Sequence, residues 1–173
     1  MTLLERVAAV LQTSGMAHAL IGAAALAAHG ISRSTLDQDL LVVDERALDP
    51  ALWRALPDTS VDVRPGASDD PLAGVIRFRS AGERDVDVVI GRGAWQQEVV
   101  ARAQPVRIGA ADIPVVTAAD LVLLKLYAGG SQDKWDIEQL LALDPSGTLR
   151  AQVSDRLLAL PRRCRDVWAA SFA

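Results

Sequence analysis

Apolar positions change period repeatedly along the chain, and those changes lay out an alternating order of helices and strands. Leu3, Leu4, Val7, Ala8 and Leu11 fall on one stripe at helical spacing. Thr2 and Glu5 form a capping box ahead of that stripe, and Gly15 suits its end, so a helix is predicted over 2–12. A short apolar strand at 17–21 breaks at Gly22 and gives way to a small Ala-rich helix that turns at His29 and Gly30. The chain re-enters an apolar run at 37–43, where Val42 and Val43 favour a strand. A short helix is predicted over 50–56, with Pro50 in its first turn, then a strand at 61–64 and a Gly/Pro-bearing connection at 65–71. Runs at 74–79 and 84–90 flank Ser80-Ala81-Gly82-Glu83, a hairpin signal. A helix at 94–103 and short strands at 106–108 and 113–116 follow. Thr117 caps a helix over 117–127, with Asp120 near the positive end of its dipole. Gly129 and Gly130 end it, and helices at 132–143, 149–160 and 162–170 close the chain. This order predicts an α/β fold: a mixed sheet with flanking helices (1–116) and a helical C-terminal annex (117–173), one compact domain overall.

Composition narrows the function classes. Half of the 173 residues are hydrophobic but only 4% are aromatic, so Leu, Val and Ala must fill the core. A net charge of −4 excludes a generally basic nucleic-acid binder. The single Cys164 excludes an internal disulfide and a Cys-rich zinc site, and His18 and His29 stand in unlike contexts. No charge-free apolar run reaches ~18 residues, so no membrane span is expected. The N-terminus is patterned as a helix rather than a signal peptide, which makes a cytoplasmic location the expectation. Arg162, Arg163 and Arg165 read as a solvated basic cluster.

The candidate chemistry begins at Asp37-Gln38-Asp39. Residues two apart share a strand face, about 7 Å apart along the chain. Two carboxylates there repel each other unless a cation sits between them, and hard oxygen ligands suit Mg²⁺ or Mn²⁺. The bland alternative is one Asp capping the strand and the other solvated. Gly22 permits close backbone approach to a ligand, and free N–H groups at the next helix start can receive phosphate. Arg33 lies just before the carboxylates, where it either meets phosphate, pairs with Asp37 or stays solvated. His29 reads as a helix-end histidine bonded to a carbonyl. Asp85 and Asp87 share one face of the 84–90 strand. Adjacent strands lie about 4.8 Å apart, so a carboxylate of this strand, Asp87 or alternatively Asp85, could join Asp37 and Asp39; an exposed edge-strand Asp is the structural alternative. Lys125 is the odd member of an apolar helix. Its head is expected to pair with Asp133 or Asp136 across the Gly129-Gly130 turn when the cleft is empty.

Gly22-Ala23, a spacer and Asp37-Gln38-Asp39 resemble the signature of the nucleotidyltransferase superfamily, the polymerase-beta-like fold: Gly with Gly or Ser, then Asp-x-Asp or Asp-x-Glu. HGISRSTLDQDL and DLVLLKLYAGGSQDKWDIEQLLAL resemble its small bacterial branch that includes the AbiEii-type toxins, and the likeness covers residues 20–143. It implies transfer of an NMP from an NTP to an acceptor hydroxyl on RNA, a protein or a small molecule, with a cognate antitoxin as an expected partner. Asp37, Asp39 and Asp87 would be the metal ligands. Gly22, Ala23, Arg33, Ser34, Lys125 and Asp133 would contact substrate, Lys125 neutralising phosphate charge. Asp133 or Asp136, with Asp136 placed among the catalytic groups, would accept a proton. The sequence departs from the pattern at Ala23 and Gln38. These departures support a rival reading, a catalytically silent module that binds nucleotide or a partner; a third reading is a structural protein with a coincidental Asp-x-Asp.

Overall fold

The computed structural model describes residues 1–32 and 37–173. Thr2 caps helix α1 (Leu3–Thr13) through the expected reciprocal bonds: its hydroxyl accepts from the Glu5 N–H, and the Glu5 carboxylate accepts from the Thr2 N–H at 2.9 Å. The same carboxylate accepts from the Ala110 N–H at 2.7 Å, so the cap also pins the helix to a distant turn. Strand β1 (His18–Ile21) runs into α2 (Gly22–Ala28), and β2 (Gln38–Val42) follows. Two short 3-10 helices, Glu45–Leu48 and Pro50–Ala55, lead to β3 (Ser60–Pro65), β4 (Leu72–Arg79) and β5 (Val86–Gly91). Helix α3 (Ala94–Ala101), strands β6 (Gln104–Ile108) and β7 (Ala111–Val115), and helices α4 (Ala118–Ala128), α5 (Ser131–Ala142), α6 (Thr148–Arg156) and α7 (Arg162–Ser171) complete the order.

The seven strands form one mixed sheet in the order β3-β4-β5-β2-β1-β7-β6. It consists of three blocks, each antiparallel within itself and contiguous in sequence: β1/β2, the meander β3–β4–β5, and the hairpin β6/β7. Two parallel seams join them, β2 to β5 and β1 to β7. Alternation along the strands then sorts the faces. Leu40, Val42, Ile76, Phe78, Val86, Val88 and Ile90 are wholly buried on one face, with the indole of Trp53 edge-on to Phe78 at 4.7 Å. The other face carries Asp39, Asp87 and Arg77 side by side, because Asp39 pairs with Asp87 and Asp87 with Arg77 in register.

Helix α4 packs on α2, α5, α6 and α7. Its cap residue Thr117 bonds the backbone and side chain of Asp120, whose buried carboxylate also takes Arg102 at 2.8 Å and Arg156 at 3.1 Å. An uncompensated charge at that depth is strongly destabilising, so these two guanidinium groups tie α4 to the end of α3 and to α6. Among the described residues, no helix is long and apolar enough to cross a membrane.

The expected elements are present with small shifts. Strand β2 starts at Gln38, leaving Asp37 just ahead of it and exposed. Strand β5 starts two residues later than expected, at Val86. The expected single helix over 149–160 is α6 followed by a 3-10 turn at Leu157–Ala159.

Candidate active site

The site is built where β2 meets β5. Asp39 lies directly across the parallel seam from Asp87 and across the antiparallel pair from Ile21, the last residue of β1. Gly22 therefore begins α2 against the Asp39 carboxylate. Its φ of +63° is costly for any residue with a side chain, and a Cβ there would lie 2.2 Å from Asp39 Oδ2. Glycine at this position is what lets Asp39 stand upright beside the helix start.

Burial first, and then the charges of Asp87 and Asp37, push the Asp39 carboxyl up to about 6, while Lys125 and Arg77 act in the other direction. Asp37, Asp39, Asp87, Lys125 and Arg77 thus share one electrostatic environment. The anionic charge around Asp39 exceeds what the cations offset. A hard cation would relieve this, and Mg²⁺ is commonly held by one or two carboxylates plus phosphate oxygens. As they stand, no three carboxylate, imidazole or thiol groups among the described residues are gathered tightly enough to cage a metal ion. Asp87 is engaged by an arginine instead. Arg77 grips both of its oxygens, Nε to Oδ1 at 2.7 Å and Nη2 to Oδ2 at 2.5 Å. Asp87 in turn holds the Arg77 pKa above its ordinary value. Asp39, buried beside the charges of Asp87 and Asp37, has the oxygen chemistry a hard cation takes, while Asp87 is engaged by Arg77.

Lys125 projects from α4 to α5, where Nζ lies 2.9 Å from Asp133 Oδ1 and 2.7 Å from Asp136 Oδ2. It engages both aspartates rather than one. Asp133 also accepts from the Gly130 N–H at 2.9 Å, closing the turn between the helices. The Asp136 side chain is completely buried, a placement suited to holding the lysine. An acceptor hydroxyl has no route to a carboxylate so enclosed, so the geometry gives it a positioning part rather than the proton-accepting part expected of it.

Ala23 follows Gly22 in the first turn of α2. Gln38 lies on the sheet face opposite Asp39, lining a cavity with Leu3, Leu4 and Glu83, so this departure from the family pattern does not touch the carboxylates. Asp85 pairs with Arg79 at 3.1 Å. His29 Nε2 meets the Val116 carbonyl at 2.8 Å, the helix-end arrangement expected for it. Arg33 and Ser34 lie outside the described residues. The functional residue that sequence reasoning missed is Arg77. The available signal was the alternation Arg77, Arg79 facing Asp85, Asp87 across the hairpin, which becomes a pair of ion-paired rungs only in the correct register.

No protein-family model matches the chain, and no curated protein does. Solved structures match it by fold. One is the antibiotic-resistance factor ANT(2'')-Ia, with a TM-score of 0.59 at 14% identity over 97% of this chain and 92% of that one. An antigenic nucleotidyltransferase-like protein from Paracoccidioides brasiliensis gives 0.54 at 18% identity, over 97% and 89%. The lincosamide antibiotic adenylyltransferase LnuA, in its lincomycin-bound form, gives 0.50 at 10% identity, over 82% and 96%. The chain therefore has a nucleotidyltransferase-like α/β fold.

Proposed function

We propose that this protein is a metal-dependent nucleotidyltransferase that moves an NMP from an NTP to an acceptor hydroxyl. One observation supports the reading: Asp39 and Asp87 stand opposite each other across the β2–β5 seam, with Gly22 against Asp39, on a fold shared with adenylyltransferases. Mg²⁺ or Mn²⁺ held by Asp37 and Asp39 would supply Lewis-acid neutralisation of the triphosphate. Gly22 and Ala23 would meet the phosphates at the start of α2. Lys125, held in place by Asp133 and Asp136, adds positive charge toward the same space. The acceptor oxygen attacks the α-phosphorus, the bond from that phosphorus to the bridging oxygen of the β-phosphate breaks, and pyrophosphate leaves. Asp87, across the seam from Asp39, would accept the hydroxyl proton once Arg77 has released it. Arg33 and Ser34 join the substrate contacts in this reading. The resemblance to AbiEii-type proteins extends it to a toxin-like enzyme with a cognate antitoxin.

A second reading, a silent nucleotide-binding module, draws on the Arg77 clamp over Asp87. The test is incubation with each α-labelled NTP, Mg²⁺ or Mn²⁺, and total RNA or cell extract. A labelled product that is lost in Asp39→Asn is the expected result. Metal-dependent NTP binding without product selects the silent module, and no NTP binding at all removes both.

A further inference from the structure

A cavity of ≈ 480 Å³ opens beside Arg77, lined by Arg64, Asp70, Pro71, Leu72, Val75 and Arg77 among others. Arg64, Val75 and Arg77 belong to the same sheet face as Asp87 and Asp39, since Arg64 pairs with Val75, and Arg77 with Asp87, in register. The far wall is the 66–71 segment, and it is built firmly. The Arg92 guanidinium donates to the carbonyls of Ala67, Ser68 and Asp70 at 2.7, 3.3 and 3.0 Å. The Gly66 N–H donates to the Ala73 carbonyl at 2.8 Å. The result is a preformed recess, apolar along Pro71, Leu72 and Val75, with two guanidinium groups on its rim and the acidic group next door.

We infer that this recess binds the acceptor, and that the acceptor is a nucleoside 5′-phosphate unit presenting a ribose hydroxyl. The inference deepens the transfer reading above and relies on it only for the word acceptor. Two arginines on one wall match a phosphate, whose oxygens take bidentate guanidinium bonds. The apolar strip beside them suits a flat base. A polycation, such as an aminoglycoside, would meet two like charges there against the one carboxylate of Asp70. Arg64 is also free to change partners. Arg64 is 71% exposed and bonds a single oxygen of Asp62, a surface contact of little strength. Arg77 is the shared group: it lines the recess and clamps Asp87. A phosphate that takes Arg77 draws it off Asp87, so filling the recess frees the third carboxylate next to the hydroxyl that is to react.

The test is calorimetric titration of the full chain in EDTA with 5′-CMP, cytidine, the dinucleotide CpC and tobramycin. CMP binds, cytidine binds about tenfold or more weakly, as expected for loss of a charge-assisted bond, and tobramycin does not bind. Arg64→Glu loses CMP affinity by about the same factor while Mg²⁺–ATP affinity, measured separately, is unchanged. CpC binding more tightly than CMP identifies an RNA end as the source of the phosphate, and equal affinities identify a free nucleotide. Cytidine equal to CMP, or tobramycin tighter than CMP, overturns the inference. CMP binding that ignores Arg64→Glu and is displaced by Mg²⁺–ATP also overturns it, and leaves the transfer reading standing. CMP binding through Arg64 in a protein that transfers nothing from any NTP keeps the recess and removes the transferase.

Discussion

Asp39→Asn is expected to make the metal-free protein more stable at neutral pH, while abolishing its response to metal and nucleotide. The carboxyl sits at about 6 against an ordinary 3.8. At ~1.4 kcal/mol per pH unit, holding Asp39 ionised costs the fold about 3 kcal/mol. The sign follows from proton binding. Between those two values the folded state holds the proton more tightly than the unfolded chain, so stability is fully present below 3.8 and declines as pH rises through about 6. Asparagine keeps the shape and removes the charge, so the variant escapes that decline. Urea unfolding in EDTA across pH 4–8 should show the two proteins nearly equal at the acidic end. They should separate toward pH 6 and then stay apart by about 3 kcal/mol, less whatever the buried amide lacks in partners. Mg²⁺ should stabilise only the wild type. A variant no more stable than wild type at pH 8, or a gap that widens below pH 4, would refute the reasoning.

Other outcomes follow from the same geometry. Gly22→Ala forces a Cβ against Asp39 Oδ2 at a positive φ; a loss of at least ~1 kcal/mol together with weakened Mg²⁺–NTP binding is expected, and a wild-type melt with intact binding would contradict it. Lys125→Ala strips the cation from two aspartates, one fully buried, so it should cost ~3–5 kcal/mol; Asp133→Asn/Asp136→Asn in the same background should recover much of this, and failure to recover would show the lysine acts by packing. Asp120→Ala should be similarly destabilising, ~3–5 kcal/mol, yet leave the Mg²⁺–NTP affinity of the folded fraction unchanged, as calorimetry below the melting range can check. Arg77→Gln should tighten Mg²⁺ binding in the absence of any acceptor, because it releases Asp87; unchanged affinity would show that Asp87 takes no part in holding metal.

Much of the architecture could be read from period alone, since long helices and alternating strands announce themselves through which residues must be hidden. The spacing of Asp37 and Asp39 put those two on one strand face, and the resemblance to nucleotidyltransferases pointed to Asp87 as their neighbour. What could not be read is register. The expected hairpin, 74–79 with 84–90, slips by one residue from the observed pairing of Phe78 with Val86, and a one-residue slip sends every side chain to the opposite face. Arg77 then appears remote from Asp87, and the clamp is invisible. Lys125 shows a different limit. Its oddness in an apolar helix pointed to an anionic partner, but the cost of removing it depends on the burial of Asp136, which follows from how α5 folds back. The stability of a Lys125→Ala variant would therefore have been put too high from the sequence alone.

The three-block construction of the sheet has a consequence for how the molecule folds. Each antiparallel block closes from neighbours in the chain, whereas the β2–β5 seam must bring residues from separate blocks together and is intrinsically slower to form. The acidic group lies on that seam, with Asp39 contributed by one side and Asp87 by the other. Their mutual repulsion opposes docking, and the Arg77 guanidinium, carried in on the meander already bound to Asp87, shields part of it. Amide exchange should report this division of labour: protection along β2 and β5 should rise when Mg²⁺ is added, and protection along β3 and β4 should not. The last step of assembly would then be the one that creates the site.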